Sequence, residues 1–519
     1  MRVTDPGPEL LQPRCWLPWL LGLWLFAVES AAAGVLHRGL GPGPDSLDVH
    51  RAQSLSALNV LRDLHEGLVT FDARAGLIPG IARSWSVSDD GLTWTFRLDR
   101  EARWSDGERV TAGDFVRGWR RALAPATASP TAGLLDGVAA AADVRRGHRP
   151  PDALGVRAID DDRLEVQLER PIPWFAELLT HPVTYPWPGP IARYSGPFIL
   201  DETVPGAHLR LRARANWRAA DSVALDAVVW HVIEEPNVEL ARYRAGQLHV
   251  TETIPPGRVD WLRDKFGTQL RIAPYLGTFY LVFNLSRPPF DESPGLRRAL
   301  SLVIDRDILV ERVLGSGELP AWGLLPPGMP GWPEMWAPPL AAEQRLVEAR
   351  RLYAAAGHGA DNPLTVELRF NSSLTHRRLA AAVAAMWKAQ LGVQTRLIHE
   401  EWKVFVANRR QGRVTEVMRG GWIADWRDAA NFLDLFRSDS PMNYAFFDDA
   451  RYDQLLQRAE GATGLGRIDL LREAESRLLE QQVVIPLYYY VSRHLVDPDV
   501  SGFEDNPMDI HLSRWLSIQ

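Results

Sequence analysis

The apolar run Trp16–Val28 most limits what this chain can become. It is preceded by Arg2 and Arg14 and followed by small residues that end at Ala33, the pattern of a secretory signal peptide. Its 13 residues are fewer than the roughly 20 that an α-helix needs to cross a bilayer, which argues against a membrane anchor. We therefore expect a signal peptide over residues 1–33, cleavage after Ala33 and export of the remaining chain.

The only cysteine, Cys15, lies ahead of this run, and Gln12–Arg14 before it are not the small apolar residues of a lipid-attachment site. The exported chain is then expected to be soluble, without a lipid anchor on cysteine and without a disulfide. A length of 519 residues predicts about two to four domains. The 58 basic residues are outnumbered by 65 acidic ones and form no block, so nucleic acid is not an expected partner.

Two kinds of segment follow one another along the chain. Some alternate apolar and polar residues, which is typical of half-buried strands, and others carry apolar residues at helical spacing. The strand-like segments are 92–98, 163–168 and 364–368, and the helical ones are 340–356, 379–391 and 452–481. The pattern predicts a mixed α/β (α+β) fold with several lobes.

Motifs for catalysis are absent from the sequence. It contains no G-x-S-x-G, no P-loop and no H-E-x-x-H, and Val69 stands where a zinc motif beginning at His65 needs its second histidine. The 13 histidines are scattered without the spacing of metal ligands. We therefore predict a binding protein without cofactor or metal, and a secreted hydrolase is the alternative from another class.

Short motifs in a specific order carry a family resemblance. They are Leu64–Leu68, Ile81–Trp85, Trp94–Leu98, Ala102–Gly107, Val110–Val116, Tyr275–Tyr280, Gly421–Trp426 and Pro486–Tyr490. With these motifs the chain resembles the extracellular solute-binding proteins of the peptide/nickel class, and within that class the oligopeptide-binding proteins that serve ABC importers.

The resemblance implies a periplasmic binding protein-like fold with three lobes. Lobe one would combine residues 34–65, 188–276 and 491–519, lobe two would be 66–187, and lobe three would be 277–490. Lobes one and three would close on the ligand by a hinge. The implied function is that of a monomeric periplasmic subunit that captures oligopeptides for a membrane permease. The same scaffold could instead hold a murein peptide, a nickel chelate or haem, or act as a sensor.

The family's G-W-x-A-D motif implies roles at the amino end of a peptide. Asp425 would form a salt bridge with the peptide ammonium, and Gly421 and Ile423 would pair with the peptide backbone. Trp422 would point to the opposite face of that strand, with simple core packing as an equal alternative. Gly277 and Ile423 correspond to two cysteines of some oligopeptide binders, so that disulfide is expected to be absent.

At the carboxyl end, the resemblance points to three cationic groups at different depths. They are Arg419, His376 and one of the pair Arg409 and Arg410. On the lobe-one side, residues 51–55, with Gln53 and Leu55, would form a second strand that pairs with the peptide.

Two departures from the family set expectations for this chain. The stretch between Pro190 and Phe198 is shorter than in relatives, which would trim lobe one near the cleft. Glu252 stands where relatives often have an aromatic residue or asparagine. We hypothesise that its negative charge favours basic peptides.

Overall fold

The computed structural model describes residues 34–519 except 334, 336 and 415. The predicted signal peptide lies outside the described residues. The strands are β1 (Gly34–Gly41), β2 (Val69–Phe71), β3 (Leu77–Pro79), β4 (Ala82–Val87), β5 (Thr93–Leu98), β6 (Val156–Asp160), β7 (Arg163–Gln167), β8 (Phe198–Val204), β9 (His208–Ala213), β10 (Leu225–Val232), β11 (Leu270–Phe283), β12 (Leu319–Pro320), β13 (Thr365–Asn371), β14 (Gln394–Glu400), β15 (Val417–Ile423), β16 (Val484–Leu495), β17 (Val500–Ser501) and β18 (Ser517–Ile518).

The α-helices lie between these strands, in agreement with the predicted mixed fold. They are α1 (Leu55–Leu64), α2 (Ala112–Leu123), α3 (Ala141–Arg145), α4 (Phe175–Leu178), α5 (Pro236–Arg244), α6 (Val259–Phe266), α7 (Pro294–Leu302), α8 (Arg306–Ile308), α9 (Ala342–Ala355), α10 (Leu374–Leu391), α11 (Trp402–Arg410), α12 (Ala430–Leu433), α13 (Ala450–Glu460) and α14 (Gly464–Glu480). No helix among the described residues combines the length and apolar character needed to cross a membrane.

Three sheets organise the molecule. Sheet 1 has the order β1-β10-β9-β8, sheet 2 the order β4-β5-β7-β6, and sheet 3 the order β12-β16-β11-β15-β13-β14. Sheets 1 and 3 contain parallel as well as antiparallel pairs, since β1 is parallel to β10 and β13 is parallel to β14 and β15. The predicted α/β class is confirmed. The lobe boundaries expected from the resemblance stay a prediction.

Most of the predicted elements are present, with one correction. The strand-like segments form β5, β7 and β13, and 340–356 forms α9. The single helical pattern over 452–481 is wrong as one element, because it forms two helices, α13 and α14. Gly461 follows the first helix, and Gly464 opens the second with a φ of +58°, a conformation that cannot continue a right-handed helix.

Separate apolar cores support the sheets. Phe198, Leu211 and Trp230 belong to the core at sheet 1, and Phe96 and Trp119 belong to the core between sheet 2 and α2. Sheet 3 is covered by two further clusters, which is why its central strand β11 is almost continuously apolar toward its C-terminal end.

Two long strands run from the region of sheet 1 into sheet 3. The first part of β11 pairs with the last part of β16, and Val250 bridges that end of β16 to β1. The register shifts where Tyr275–Gly277 pass opposite the single residue Tyr490. An extra-residue bulge of this kind lets paired strands bend.

Candidate ligand-binding cleft

The C-terminal half of β15 has an open edge. On one side β15 pairs with β11 along its whole length, from Val417 to Ile423. On the other side β13 pairs with it only at Val417 and Met418. Beyond Met418 this second edge has no strand partner within the described part of the chain. An unpaired edge offers its backbone groups to an added strand.

The hydrogen-bond register shows which residues face that edge. The N–H of Ala424 donates to the carbonyl of Leu276 over 2.8 Å. Because pairing alternates along an antiparallel ladder, the backbone groups of Trp422 also point toward β11. Those of Gly421 and Ile423 point away, to the open edge. These are the two residues that the resemblance assigns to backbone pairing.

Glycine is required beside this edge because aromatic side chains come close to the backbone. A Cβ atom at Gly277 would lie 2.6 Å from the ring of Tyr490 and 3.0 Å from Ile423 Cγ1. Gly277 and Ile423 are also direct cross-strand partners. The two positions at which some relatives have cysteines are therefore adjacent, and here a glycine and an isoleucine fill that space.

Asp425 follows β15 directly beyond the open edge. Its side chain is exposed and forms no ion pair with any described residue. Partial burial of the carboxyl by the surrounding protein nevertheless raises its pKa above the ordinary value. A carboxylate in this state gains stability from an incoming cation, and an ammonium group is a suitable one.

Asn431 in α12 positions this segment. Its Oδ1 accepts a hydrogen bond from Trp422 Nε1 at 2.6 Å and one from the Asp425 N–H at 3.4 Å. The side chain of Trp422 packs against the apolar cluster that covers one face of sheet 3, in agreement with the core-packing alternative. Asn431 belongs to a segment that follows the G-W-x-A-D motif, but no role was expected for it, because only the fold brings its side chain against Trp422 and Asp425.

Arg419 lies at the other end of the open edge. Its Nε donates to Asn371 Oδ1 over 2.8 Å, and its guanidinium lies 5.2 Å from the ring centre of Trp402. No carboxylate among the described residues pairs with it. Burial lowers its pKa from the usual value, so a bound anion would stabilise the charge. This environment fits the predicted contact with a peptide carboxylate.

His376 lies beside Arg419 but differs from the expectation. Its ring packs against Phe279 at a tilt of 35°, with centres 5.4 Å apart, and its Nδ1 is buried without a hydrogen-bond partner among the described residues. Burial, together with the nearby Arg419 charge, lowers its pKa to about 4. Without a ligand His376 is therefore neutral at pH 7, and its contact with a peptide carboxylate stays a prediction. It can still donate a hydrogen bond.

Arg409 and Arg410 lie at the end of α11. The Arg409 guanidinium is 4.1 Å from the ring centre of Tyr444, and its Nε has no partner among the described residues. Arg410 is exposed, and both arginines line a cavity of about 380 Å³. Both cations thus lie beside one cavity, while their depth in a ligand site and their contacts with a ligand stay a prediction.

Residues 51–55 do not form the expected strand. Leu55 is the first residue of α1, whose N-cap Ser54 accepts a hydrogen bond from the Ala57 N–H. The N–H of Gln53 is not free to pair with a strand, because it donates a hydrogen bond to Asp45 Oδ2 over 3.0 Å. Both side chains are exposed. Capping of the helix by Ser54 explains why the strand expectation fails at Leu55.

Glu252 does not carry the charge that the sequence suggested. Its N–H donates to Glu239 Oε1 over 2.7 Å, which places two carboxyl groups near each other. Burial, with further contributions from Asp509 and Glu239, raises the pKa of Glu252 to about 8. At pH 7 this carboxyl is mostly protonated. The hypothesis that Glu252 attracts basic peptides as an anion loses its basis.

The role of Arg419 can be measured with peptides that differ at one end. Arg419→Gln is expected to weaken binding of a free-acid tetrapeptide about tenfold, since a hydrogen bond to a charged group contributes about 1.5 kcal/mol or more. Binding of the same peptide with an amidated C-terminus should hardly change. Isothermal titration measures both, and Arg350→Gln on exposed α9 is the control. Equal losses for acid and amide would contradict a carboxylate contact.

The chain matches a known protein family over most of its length. The family model described as "Bacterial extracellular solute-binding proteins, family 5 Middle" matches residues 76–444. The chain belongs to this family. The periplasmic oligopeptide-binding protein OppA of Escherichia coli (strain K12) is 36% identical and covers 95% of this chain and 94% of its own length. The periplasmic murein peptide-binding protein MppA of that strain is 34% identical, with 93% of each chain covered.

A third relative shows that ligands differ within family 5. The probable deoxycholate-binding periplasmic protein YgiS of Escherichia coli (strain K12) is 35% identical, with 92% of each chain covered. An oligopeptide, a murein peptide and deoxycholate are thus named for proteins of nearly equal similarity. Family membership makes this chain a solute-binding protein. The geometry of the site has to decide the ligand class.

Solved structures of this family also report on conformation. The unliganded open form of MppA has a TM-score of 0.86 at 34% identity, covering 94% of this chain and 98% of that one. A second MppA structure reaches 0.74 at the same identity, and Haemophilus influenzae OppA in complex with RPPGFSPFR reaches 0.73 at 32%. The two MppA structures match this chain equally in sequence, so conformation accounts for the difference. The conformation described here is closer to the open form.

Proposed function

We propose that this protein captures oligopeptides with a free amino terminus in the periplasm and presents them to the permease of an ABC importer. The observation that carries the proposal is the open edge of β15, where Gly421 and Ile423 direct backbone groups outward and the unpaired Asp425 follows. A bile acid or a metal chelate has no backbone to pair with such an edge. The peptide relatives OppA and MppA support the same ligand class.

The peptide would lie as an added strand with its ammonium at Asp425 and its carboxyl end toward Arg419. Six residue steps separate these two positions, or roughly 20 Å of extended chain. That span suits peptides of about three to six residues. Arg409 and Arg410 would serve longer ligands. Side chains of the peptide contribute little to this mode, which suits a carrier that accepts many sequences.

Closure of two lobes would complete the site. We infer lobe one from 34–65, 188–276 and 491–519, lobe two from 66–187, and lobe three from 277–490. The bulge at Tyr275–Gly277 lies on a boundary between lobes one and three, where bending of β11 and β16 would act as the hinge. The similarity to an open form supports such a motion. Contacts made only in the closed state would supply its energy.

The mature protein would lack residues 1–33. We infer that these residues are removed as a signal peptide, that no lipid is attached, and that the mature protein works as a monomer. It would bind and release its ligand without chemical change. Periplasmic relatives such as OppA and MppA support this location.

N-methylated peptides test the added strand. Methylation of a peptide nitrogen that pairs with Gly421 or Ile423 should weaken binding about tenfold, because a hydrogen bond is lost and the methyl group opposes close approach. Methylation at the next nitrogen, which faces away from β15, should have little effect. Isothermal titration of a tetra-alanine series, with one methyl group at each nitrogen in turn, measures this alternation.

The same samples also test for catalysis. Chromatography after prolonged incubation should recover the peptide unchanged. Equal effects of methylation at every position would contradict pairing along β15. Hydrolysed peptide would contradict a pure binding function.

A further inference from the structure

Four histidines form a row on sheet 1, away from the proposed peptide site. His37 lies on β1, His231 on β10 and His208 on β9, which are neighbouring strands. His249 lies beside β1, with its N–H donating to the His37 carbonyl over 2.8 Å. We call these four residues the histidine row. Their sequence numbers show no motif, so only the strand order brings them together.

The row lies on the outer face of the sheet. Arg38 and Trp230 are buried and face inward, with the guanidinium 4.1 Å from the indole ring centre. Side chains alternate along a strand, so their neighbours His37 and His231 face outward. His208 is the direct cross-strand partner of His231 and shares that face. All members of the row are half-buried, so solvent can reach them.

The ring nitrogens of the central pair are close enough to share one ion. His37 Nδ1 and His231 Nε2 are 2.9 Å apart. The His208 ring centre lies 6.1 Å from that of His231, and the His249 ring centre lies 5.5 Å from that of His37. His249 Nδ1 accepts the His37 backbone N–H at 2.9 Å, so His249 supports the pair from the side.

The central rings are neutral at pH 7, as metal ligands must be. Burial, with the nearby His249 and Arg210 charges, lowers the pKa of His37. Burial, with His37 and Arg242, lowers the pKa of His231 to about 4. Glu202 lies 3.6 Å from His208 at the end of the row and provides a carboxylate near a bound cation.

We propose that His37 and His231 bind one divalent transition-metal ion on the outer face of sheet 1, with His208 beside them on the same face. Imidazole nitrogens suit both Cu²⁺ and Zn²⁺, and a given set of such ligands binds Cu²⁺ more tightly than Zn²⁺. The ion replaces the proton that His231 Nε2 donates to His37 Nδ1; that proton moves to His231 Nδ1, which then gives up the hydrogen bond it accepts from Arg242 Nη1 at 3.5 Å.

A second group of histidines is less suitable for a metal. His494, Asp509 and His511 converge in the protein, but their polar atoms are already used. His494 Nδ1 donates to the Thr251 carbonyl at 2.8 Å, and both histidines bond to the same oxygen of Asp509. A metal ion would have to break this buried network. In the half-buried histidine row, an ion would break only the hydrogen bond between His37 and His231 and the long contact from Arg242.

Copper titration of the protein without an affinity tag tests the proposal. One equivalent of Cu²⁺ should bind, and electron paramagnetic resonance should show at least two imidazole nitrogens. His37→Gln and His231→Gln should each weaken binding at least tenfold, whereas His358→Gln, a histidine at the end of α9, should not. Thermal melting without metal checks that each variant is folded. Zn²⁺ should bind at least tenfold more weakly than Cu²⁺.

Two results would overturn the assignment. Unchanged copper affinity in both His37→Gln and His231→Gln would show that the histidine row is not the binding site. Loss of copper binding in His511→Gln alone, in a folded variant, would show that the ion binds at His494, Asp509 and His511 instead. Peptide affinity should be the same with and without Cu²⁺, because the row is on sheet 1 and the proposed peptide edge is on sheet 3.

Discussion

Replacing Asp425 by asparagine is expected to weaken binding of a peptide with a free amine at least 100-fold. The carboxyl has no ion pair among the described residues, and partial burial raises its pKa, so an ammonium group held against it would form a partly desolvated charge pair. Removing one partner of a desolvated charge pair costs about 2 to 5 kcal/mol, and a factor of 100 corresponds to about 2.7 kcal/mol. Isothermal titration with tetra-alanine measures the loss.

A comparison with N-acetylated tetra-alanine identifies the group that Asp425 contacts. Acetylation removes the ammonium charge, so it should weaken binding to the original protein as strongly as the substitution does. It should hardly weaken binding to Asp425→Asn further, because the pair is already broken. Asp361→Asn, in an exposed loop after α9, is the control. Additive losses in the cycle would show that Asp425 does not pair with the amine.

The protein is expected to lose stability between pH 7 and pH 9, by an amount on the order of 3 kcal/mol. Burial lowers the pKa of His494, but the Asp509 carboxylate 2.8 Å away raises it to about 9. Burial raises the pKa of Glu252 to about 8. Both groups hold a proton more tightly in the folded than in the unfolded chain. Their contribution is complete at low pH and is lost as the pH rises through these values.

Thermal unfolding at pH 7, 8 and 9 measures this loss. Histidines whose pKa is lowered by burial act in the opposite direction, and most of their effect lies below pH 7. Glu252→Gln keeps the neutral shape of the side chain and should flatten the decline above pH 7. Glu343→Gln, at the exposed start of α9, should leave the decline unchanged. A melting temperature that stays constant or rises from pH 7 to pH 9 would contradict the assignment.

Local patterns predicted much of the fold because strands and helices bury their apolar residues with different periods. The alternation in 92–98 and 163–168 became β5 and β7. The pattern at 452–481 failed, because apolar spacing continues through Gly461 while the backbone does not. The motif around Asp425 indicated one side of the proposed site, since its residues are adjacent in sequence. The strand expected at Gln53 and Leu55 was less predictable, because helix capping competes with strand formation there.

Charge states were the least predictable property. Glu252 was expected to be an anion and His376 a cation. Burial, together with neighbouring charges, instead favours the neutral form of both side chains at pH 7. The pKa of a side chain depends on what lies within a few ångströms of it, and those neighbours come from distant parts of the chain.

The sequence by itself determined the mixed α/β class, the family and the residues of the G-W-x-A-D motif, because each depends on local order along the chain. Only the tertiary structure decided which edge of β15 stays open, which titratable groups carry charge, and that His37, His208 and His231 meet on one face. These properties depend on strand order and burial. They join residues that lie far apart in sequence, where no local pattern can report them.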